Sequence, residues 1–334
     1  GVQKNLEKRT NNSLHIEWVD VVKGILMIMM IFGHNIQFGS GAEMLKDRLY
    51  FEDRAFRFIY SFHMPCLMLI SGYFFGFSIS KKGLWIRRIQ TVVIPTLIWS
   101  SIPASVPLVK TLFSYNFSVS VIYEVGVIVL NFFWFMWAIL FSSFFVWLVH
   151  QVFDDKMIFY IGIGIAFLFV PDWQTIALWK FMYPYFTVGY LWNIKRVSFS
   201  KLDEHKMAVT FVLLTVFIAL FSSYDTDSFI YTTGIKVETY KQLMIDLYRY
   251  IIGFIGSAMM IWIVYTLYPY IRKNIRKVLG YCGSISLSIY ILDSLINRFI
   301  ISKITKGFSL DYRVVLMETI VVVICCSMID YFIK

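Results

Sequence analysis

Residues 19–38 (VDVVKGILMIMMIFGHNIQF) are almost unbroken hydrocarbon, long enough to cross a bilayer core that needs ~20 apolar residues. Nine further apolar runs recur, so ten spans are expected near 18–38, 56–79, 89–113, 127–149, 157–171, 175–193, 207–222, 243–269, 279–301 and 313–333. In lipid a spanning segment must satisfy its own backbone polar groups, which a helix does internally. The expected fold class is therefore all-α, a polytopic membrane protein of ten transmembrane helices. Hydrophobic residues make up 58% of the chain and charged residues 16%, against roughly 45–50% and 25% in soluble domains.

The net charge is +10, and its placement decides what it means. Basic residues cluster in alternate loops: Lys4, Lys8 and Arg9; Lys81, Lys82, Arg87 and Arg88; Lys195, Arg196, Lys201 and Lys206; Arg272, Lys273, Arg276 and Lys277. The loops between them are mixed in sign (Glu43, Lys46, Asp47, Arg48, Glu52 and Asp53; then Asp225, Asp227, Lys236 and Glu238). This is the positive-inside pattern, and it places both termini in the cytoplasm. No basic stripe with interleaved aromatics lies on a soluble segment, so nucleic acid is excluded as a partner and membrane lipid is expected instead.

Residues 1–17 read as a cytoplasmic tail and 18–334 as one ten-helix domain, without internal repeat, linker or soluble appendage. The first apolar stretch is too long for a cleavable signal and lacks a small-residue cleavage site, so none is expected. Cys66, Cys282, Cys325 and Cys326 fall within apolar spans and read as small buried hydrophobes. With no Cys-x-x-Cys and with scattered histidines, no metal site is expected. Pro65, Pro95, Pro103, Pro107 and Pro184 imply kinks whose freed backbone groups need partners in the bundle.

Ionisable side chains inside apolar spans are costly, which makes them candidates for function. Lys23 and His34 are eleven residues apart on the first span; at ~100° and ~1.5 Å per residue they share a face and stand ~16 Å apart. That face can hold a long anionic cofactor at its phosphates while its reactive tip meets the imidazole. The plain alternative is a snorkelling Lys23 and a His34 that bonds a neighbouring helix. In the second span His63 lies about seven residues from the outer interface and His34 about five, so the two rings sit at similar depths. They can share a pocket in which an imidazole takes a proton from a sugar hydroxyl and returns it to a leaving thiolate; a packing hydrogen bond beside Pro65 is the alternative for His63. Arg87 and Arg88 at the mouth of the third span can bind the phosphates of an acyl-coenzyme A, or serve as topology anchors. Asp293 in the ninth span either orients a histidine, contacts the acceptor, or pairs with Arg298 or another outer-side cation. Asn131 and Trp134 open the fourth span, where aromatics stack on a sugar ring or form the interfacial belt.

Taken together these segments resemble the acyltransferase 3 family of integral-membrane acyltransferases, in particular its sugar O-acetylase branch. The resemblance rests on WVDVVKGILMIMMIFGHN, with Lys23 and His34 in the places of a basic residue and a histidine, and on YSFHMPCLMLISGYFFG. RRIQTVVIP, WFMWAIL, YPYFTVGY and SLSIYIL follow in the family's order. The resemblance implies a ten-helix bundle that passes an acyl group, usually acetyl from cytoplasmic acetyl-coenzyme A, to an extracytoplasmic acceptor. It implies His34 as the catalytic histidine, Lys23 as its paired basic residue and Arg88 in the cofactor-side basic motif. Two places depart from the family pattern: Thr91 stands where a second arginine is usual, and Asp293 where the ninth span often has a histidine.

The expected activity is thus transfer from an acyl-coenzyme A to a hydroxyl of a cell-surface glycan or its lipid-linked precursor, with His34 as general base or transient acyl carrier, in a bacterial cytoplasmic membrane. Many relatives carry a secreted hydrolase-like domain; the sequence ends after the tenth span, so direct transfer is expected. The rival expectation is a transporter or small-molecule sensor, because buried His, Lys and Asp also build substrate pathways in carriers.

Overall fold

The computed structural model describes residues 8–10, 13–46, 48–114, 118–199, 202–225, 235 and 239–333. Lys4, Asp47, Lys201, Asp227, Lys236 and Glu238 lie outside the described residues. The chain forms two compact units, one of residues 1–67, 198–229 and 248–334, the other of residues 68–197 and 230–247.

The first unit opens with a short antiparallel hairpin, β1 (Lys8–Thr10) against β2 (Ser13–His15). Helix α1 (Glu17–Phe38) follows, with Glu17 and Asp20 in its first turn, where carboxylates complement the helix dipole. It ends at Gly39, whose N–H bonds the Asn35 carbonyl at 2.8 Å. A short helix α2 (Ala42–Lys46) leads to α3 (Arg54–Gly76), which starts where Asp53 Oδ1 accepts the Phe56 N–H at 2.8 Å, an N-terminal cap. The division between units falls within α3. The first unit also holds α10 (Lys206–Ser222), the later part of α11 (Tyr240–Leu267), α12 (Lys273–Ser284), α13 (Ser286–Ile296), the short α14 (Ser302–Ile304) and α15 (Tyr312–Ile333).

Helix α1 packs against α12, α13 and α15. Its approach to α12 is the closest kind two helices make. A Cβ added at Gly24 would stand 1.9 Å from the Leu279 carbonyl oxygen, and one at Gly283 would stand 1.8 Å from that of Asp20. Lipid supplies no hydrophobic force between helices, so small residues that admit close backbone contact carry such association.

The second unit holds α4 (Leu84–Arg88), a wide turn over Ile89–Val93, and α5 (Ile94–Ser114), along which α6 (Val119–Phe132) packs back. The wide turn precedes Pro95, which has no N–H to give the preceding turn; the Thr96 hydroxyl donates to the Val92 carbonyl at 2.6 Å. Helices α7 (Trp134–Phe153), α8 (Met157–Ala166) and α9 (Ile176–Ile194) complete the unit, with α7 packed on α9. Asp154 and Asp155 both adopt left-handed backbone (φ 49° and 58°) to turn the chain after α7. There Asp155 gathers His150 Nδ1 at 2.8 Å, the Tyr160 hydroxyl at 2.6 Å and the Tyr190 hydroxyl at 2.9 Å. Lys180, fully buried in α9, pairs with Asp172 at 2.5 Å and donates to the Val170 carbonyl, as a cation at membrane depth must.

The chain is an all-α polytopic membrane protein. Among the described residues seven helices are long and apolar enough to cross a bilayer, and eight when α12 with the run 286–304 counts as one bent span. Helices α8, extended by a turn over Phe167–Phe169, and α9 occupy the other two expected positions. Burial grades them: 78% of the apolar window in α3 is buried, whereas α10 buries 6% and presents its hydrocarbon outward. Two expected spans need correction. The run 127–149 is not one helix, because the backbone breaks at Phe133 (φ −114°, ψ 50°) and α7 extends instead to Phe153. The run 279–301 bends by 74° at Ile285.

The glycine contact yields a direct test. Gly24→Ala forces the α1 and α12 backbones apart, at a cost of about 1–3 kcal/mol. It lowers the melting temperature in detergent by several degrees. Gly162→Ala, with nothing within 4 Å of the added Cβ, stays within about 1 kcal/mol of the parent. Equal melting of both variants would show that the two backbones do not meet at Gly24.

Candidate active site

The first unit brings His34 and Asp293 together. His34 Nδ1 stands 2.5 Å from Asp293 Oδ2, with the imidazole 14% exposed and the carboxylate fully buried. The second carboxylate oxygen accepts from Asn297 Nδ2 at 2.6 Å. Asn297 is one helical turn after Asp293, where the helix widens over Asn297–Ile301. Both carboxylate oxygens are therefore occupied, as burial of such a group requires. Of the alternatives open for Asp293, the contact made is with a histidine. Arg298 lies instead over the Phe38 ring, 5.4 Å from its centroid.

When Nδ1–H is donated to the carboxylate and the ring carries one proton, the lone pair lies on Nε2. Among the described residues Nε2 of His34 makes no hydrogen bond. The ring is edge-on to Phe38, with centroids 6.0 Å apart. Its helix is fixed at the next residue, where Asn35 Nδ2 donates to Thr319 Oγ1 of α15 at 3.0 Å.

His63 is wholly buried on α3, and its Nδ1–H donates to the Ile59 carbonyl one turn back at 2.8 Å. Its Nε2 is buried with no hydrogen-bond partner among the described residues. The Tyr60 ring packs edge-on against it, with centroids 4.5 Å apart. The backbone bond foreseen as the plain alternative is thus made by Nδ1, while Nε2 stays a bare acceptor.

Lys23 Nζ lies 2.5 Å from Asp20 Oδ1, one turn earlier on the same helix. Arg88 is half-buried with its guanidinium 4.8 Å from the Phe75 ring centroid, and Arg87 is exposed. Trp134 is buried at the start of α7, with its ring against Phe135. Asn131 donates to Gln174 Oε1 at 2.7 Å and accepts from the Thr175 hydroxyl at 3.0 Å and its N–H at 3.3 Å. These bonds tie the end of α6 to the start of α9.

Sequence reasoning did not single out Asn297 or Glu318. The i, i+4 spacing of Asp293 and Asn297 was the available signal for the first. Glu318 is buried on α15 beside Gly39, its two carboxyl oxygens without hydrogen-bond partners among the described residues. Beyond the spans, burial pushes the Tyr50 phenol up from its ordinary range, opposed by the hydrogen bond to Gln37 and by Arg48 and Arg298.

Comparison with known proteins adds a second line of argument. The chain is similar to the nodulation protein NolL of Mesorhizobium japonicum, at 31% identity over 182 residues, covering 52% of this chain and 46% of that one. It is similar to NolL of Sinorhizobium fredii at 26% identity over 237 residues, covering 68% of this chain and 63% of that one. The chain thus spans less than two thirds of either relative. No solved structure matches it. The profile of the acyltransferase domain Acyl_transf_3 matches residues 16–329, nearly the whole chain: this protein belongs to that family of membrane acyltransferases.

Proposed function

We propose that this protein transfers an acyl group, in the first instance acetyl, from an acyl-coenzyme A to a hydroxyl of a cell-surface glycan or its lipid-linked precursor. Its place is the bacterial cytoplasmic membrane. The observation that carries the reading is the His34–Asp293 pair, which leaves a lone pair on Nε2 of a partly exposed imidazole.

Nε2 of His34 takes the proton of the acceptor hydroxyl as its oxygen attacks the thioester carbonyl. The tetrahedral intermediate expels the coenzyme A thiolate, and the proton held on Nε2 passes to that sulfur. The products are an ester and a free thiol, and the imidazole returns to its starting state. Asp293 is a positioning residue: it fixes the ring and its tautomer and stabilises the imidazolium formed in transit. His63, donating through Nδ1, offers Nε2 as an acceptor that orients the hydroxyl. The run of α1 from Lys23 to His34 measures ~16 Å, of the order of an extended pantetheine arm. The donor therefore lies with its phosphates toward the basic loops and its thioester at the histidine.

The test uses the full chain in lipid nanodiscs with radiolabelled acetyl-coenzyme A. His34→Ala is expected to retain its melting temperature and lose about 10²–10⁴-fold in rate. An undiminished rate would sink the mechanism, and substrate flux without coenzyme A would favour a carrier. Asp293→Asn is expected to lower kcat by about 10²-fold or more while KM for the donor holds. A shift in KM alone would mean that Asp293 binds rather than positions.

A further inference from the structure

A second polar site lies in the first unit, at the end of α1 remote from His34. It is a cleft of about 430 Å³ between the first turns of α1, the Tyr268 segment and one face of α12. Lys273, Arg276 and Lys277 line it. Residues three and four apart on a helix are neighbours, so these cations share a face, and that face is turned into a concavity. The two carboxylates in the wall are already engaged. Asp20 pairs with Lys23 at 2.5 Å, and Glu17 accepts the Tyr268 hydroxyl at 2.8 Å. Arg276 lies over the Tyr268 ring, 4.9 Å from its centroid, and its Nε is buried without a hydrogen-bond partner among the described residues. Farther along the same face Gly280 leaves open space, and the Tyr281 ring is 42% exposed.

We propose that this cleft binds the phosphate-bearing nucleotide end of the acyl donor. The cations of α12 receive its diphosphate and phosphomonoester groups, and Tyr281 offers a ring face to the base. The inference rests on the donor reading given above and names the residues that hold the donor. Its position fits. Asp20 in the cleft wall and His34 are fourteen residues apart on α1, which is ~21 Å of rise and within ~40° of one face. The glycine contacts at Gly24 and Gly283 lock α12 onto α1, so the anion site and the histidine are held at a fixed separation. Arg is suited to such recognition because its planar donors match phosphate oxygens.

Phosphate chemistry is shared by anionic lipid headgroups, and basic juxtamembrane segments attract those too. The experiment separates the sources. Coenzyme A binding to the full chain is measured by calorimetry in nanodiscs of phosphatidylcholine, and again with phosphatidylglycerol added. The variants are Arg276→Gln, Lys277→Gln and the triple Lys273→Gln/Arg276→Gln/Lys277→Gln; Lys46→Gln serves as the control. Loss of one charge-assisted contact is expected to weaken binding by about 10-fold to 100-fold, and the triple variant by more, with Lys46→Gln unchanged. If the triple variant does not fold, Lys277→Gln, altered at an exposed position, decides alone. Equal coenzyme A affinity of wild type and variants overturns the cleft assignment and leaves the donor reading intact. Displacement of phosphatidylglycerol binding in the variants, with coenzyme A binding unaltered, assigns the cleft to lipid and overturns the proposal. Absence of coenzyme A binding to wild type overturns the donor reading and the cleft with it.

Discussion

A carboxylate buried among membrane helices has to be answered, and in this protein the answer to Asp293 organises the site. Removing an ion from water costs several kcal/mol even after relaxation. A charge-assisted hydrogen bond returns about 1.5–3 kcal/mol, so a single contact is insufficient. Asp293 has two, from His34 across the helix interface and from Asn297 on its own helix. The first joins α1 to α13. The same bond that relieves the carboxylate also fixes the orientation of the imidazole.

Helix α1 carries polar groups at both ends, and its packing sets how they can be used. Near one end the close contact with α12 leaves no room for side chains between the backbones, and the cations of α12 stand in the cleft beside it. Toward the other end Asn35 bonds Thr319 of α15, and His34 meets Asp293. The ends differ in polarity and access, and the intervening rise is fixed by the helix itself.

The second unit solves the same burial problem differently. Lys180 is neutralised by Asp172 and a backbone carbonyl, and Asp155 is surrounded by His150, Tyr160 and Tyr190. These contacts close on themselves and join α7, α8 and α9. Asn131 behaves likewise, since its amide and carbonyl are both taken by Gln174 and Thr175. Polar groups that satisfy one another in this way hold helices together. His34 Nε2 and His63 Nε2 are different because neither has a hydrogen-bond partner among the described residues.

The sequence by itself determined the helical class, the approximate position of ten apolar segments and the residues whose burial demands explanation. Hydropathy sums along the chain, so it can be read one residue after another, and the Lys23–His34 spacing follows from helix geometry alone. It could not place the break at Phe133, where a mostly apolar run carries no Gly or Pro to mark it, nor the bend at Ile285. Only the tertiary structure decided that Asp293 meets His34 and not Arg298, that His63 spends Nδ1 on its own helix, and that Lys273, Arg276 and Lys277 face a cleft. Those outcomes depend on which helices touch and in what register. That register is set by contacts between residues hundreds of positions apart, such as Gly24 with Leu279 and Asn35 with Thr319, which no local pattern records.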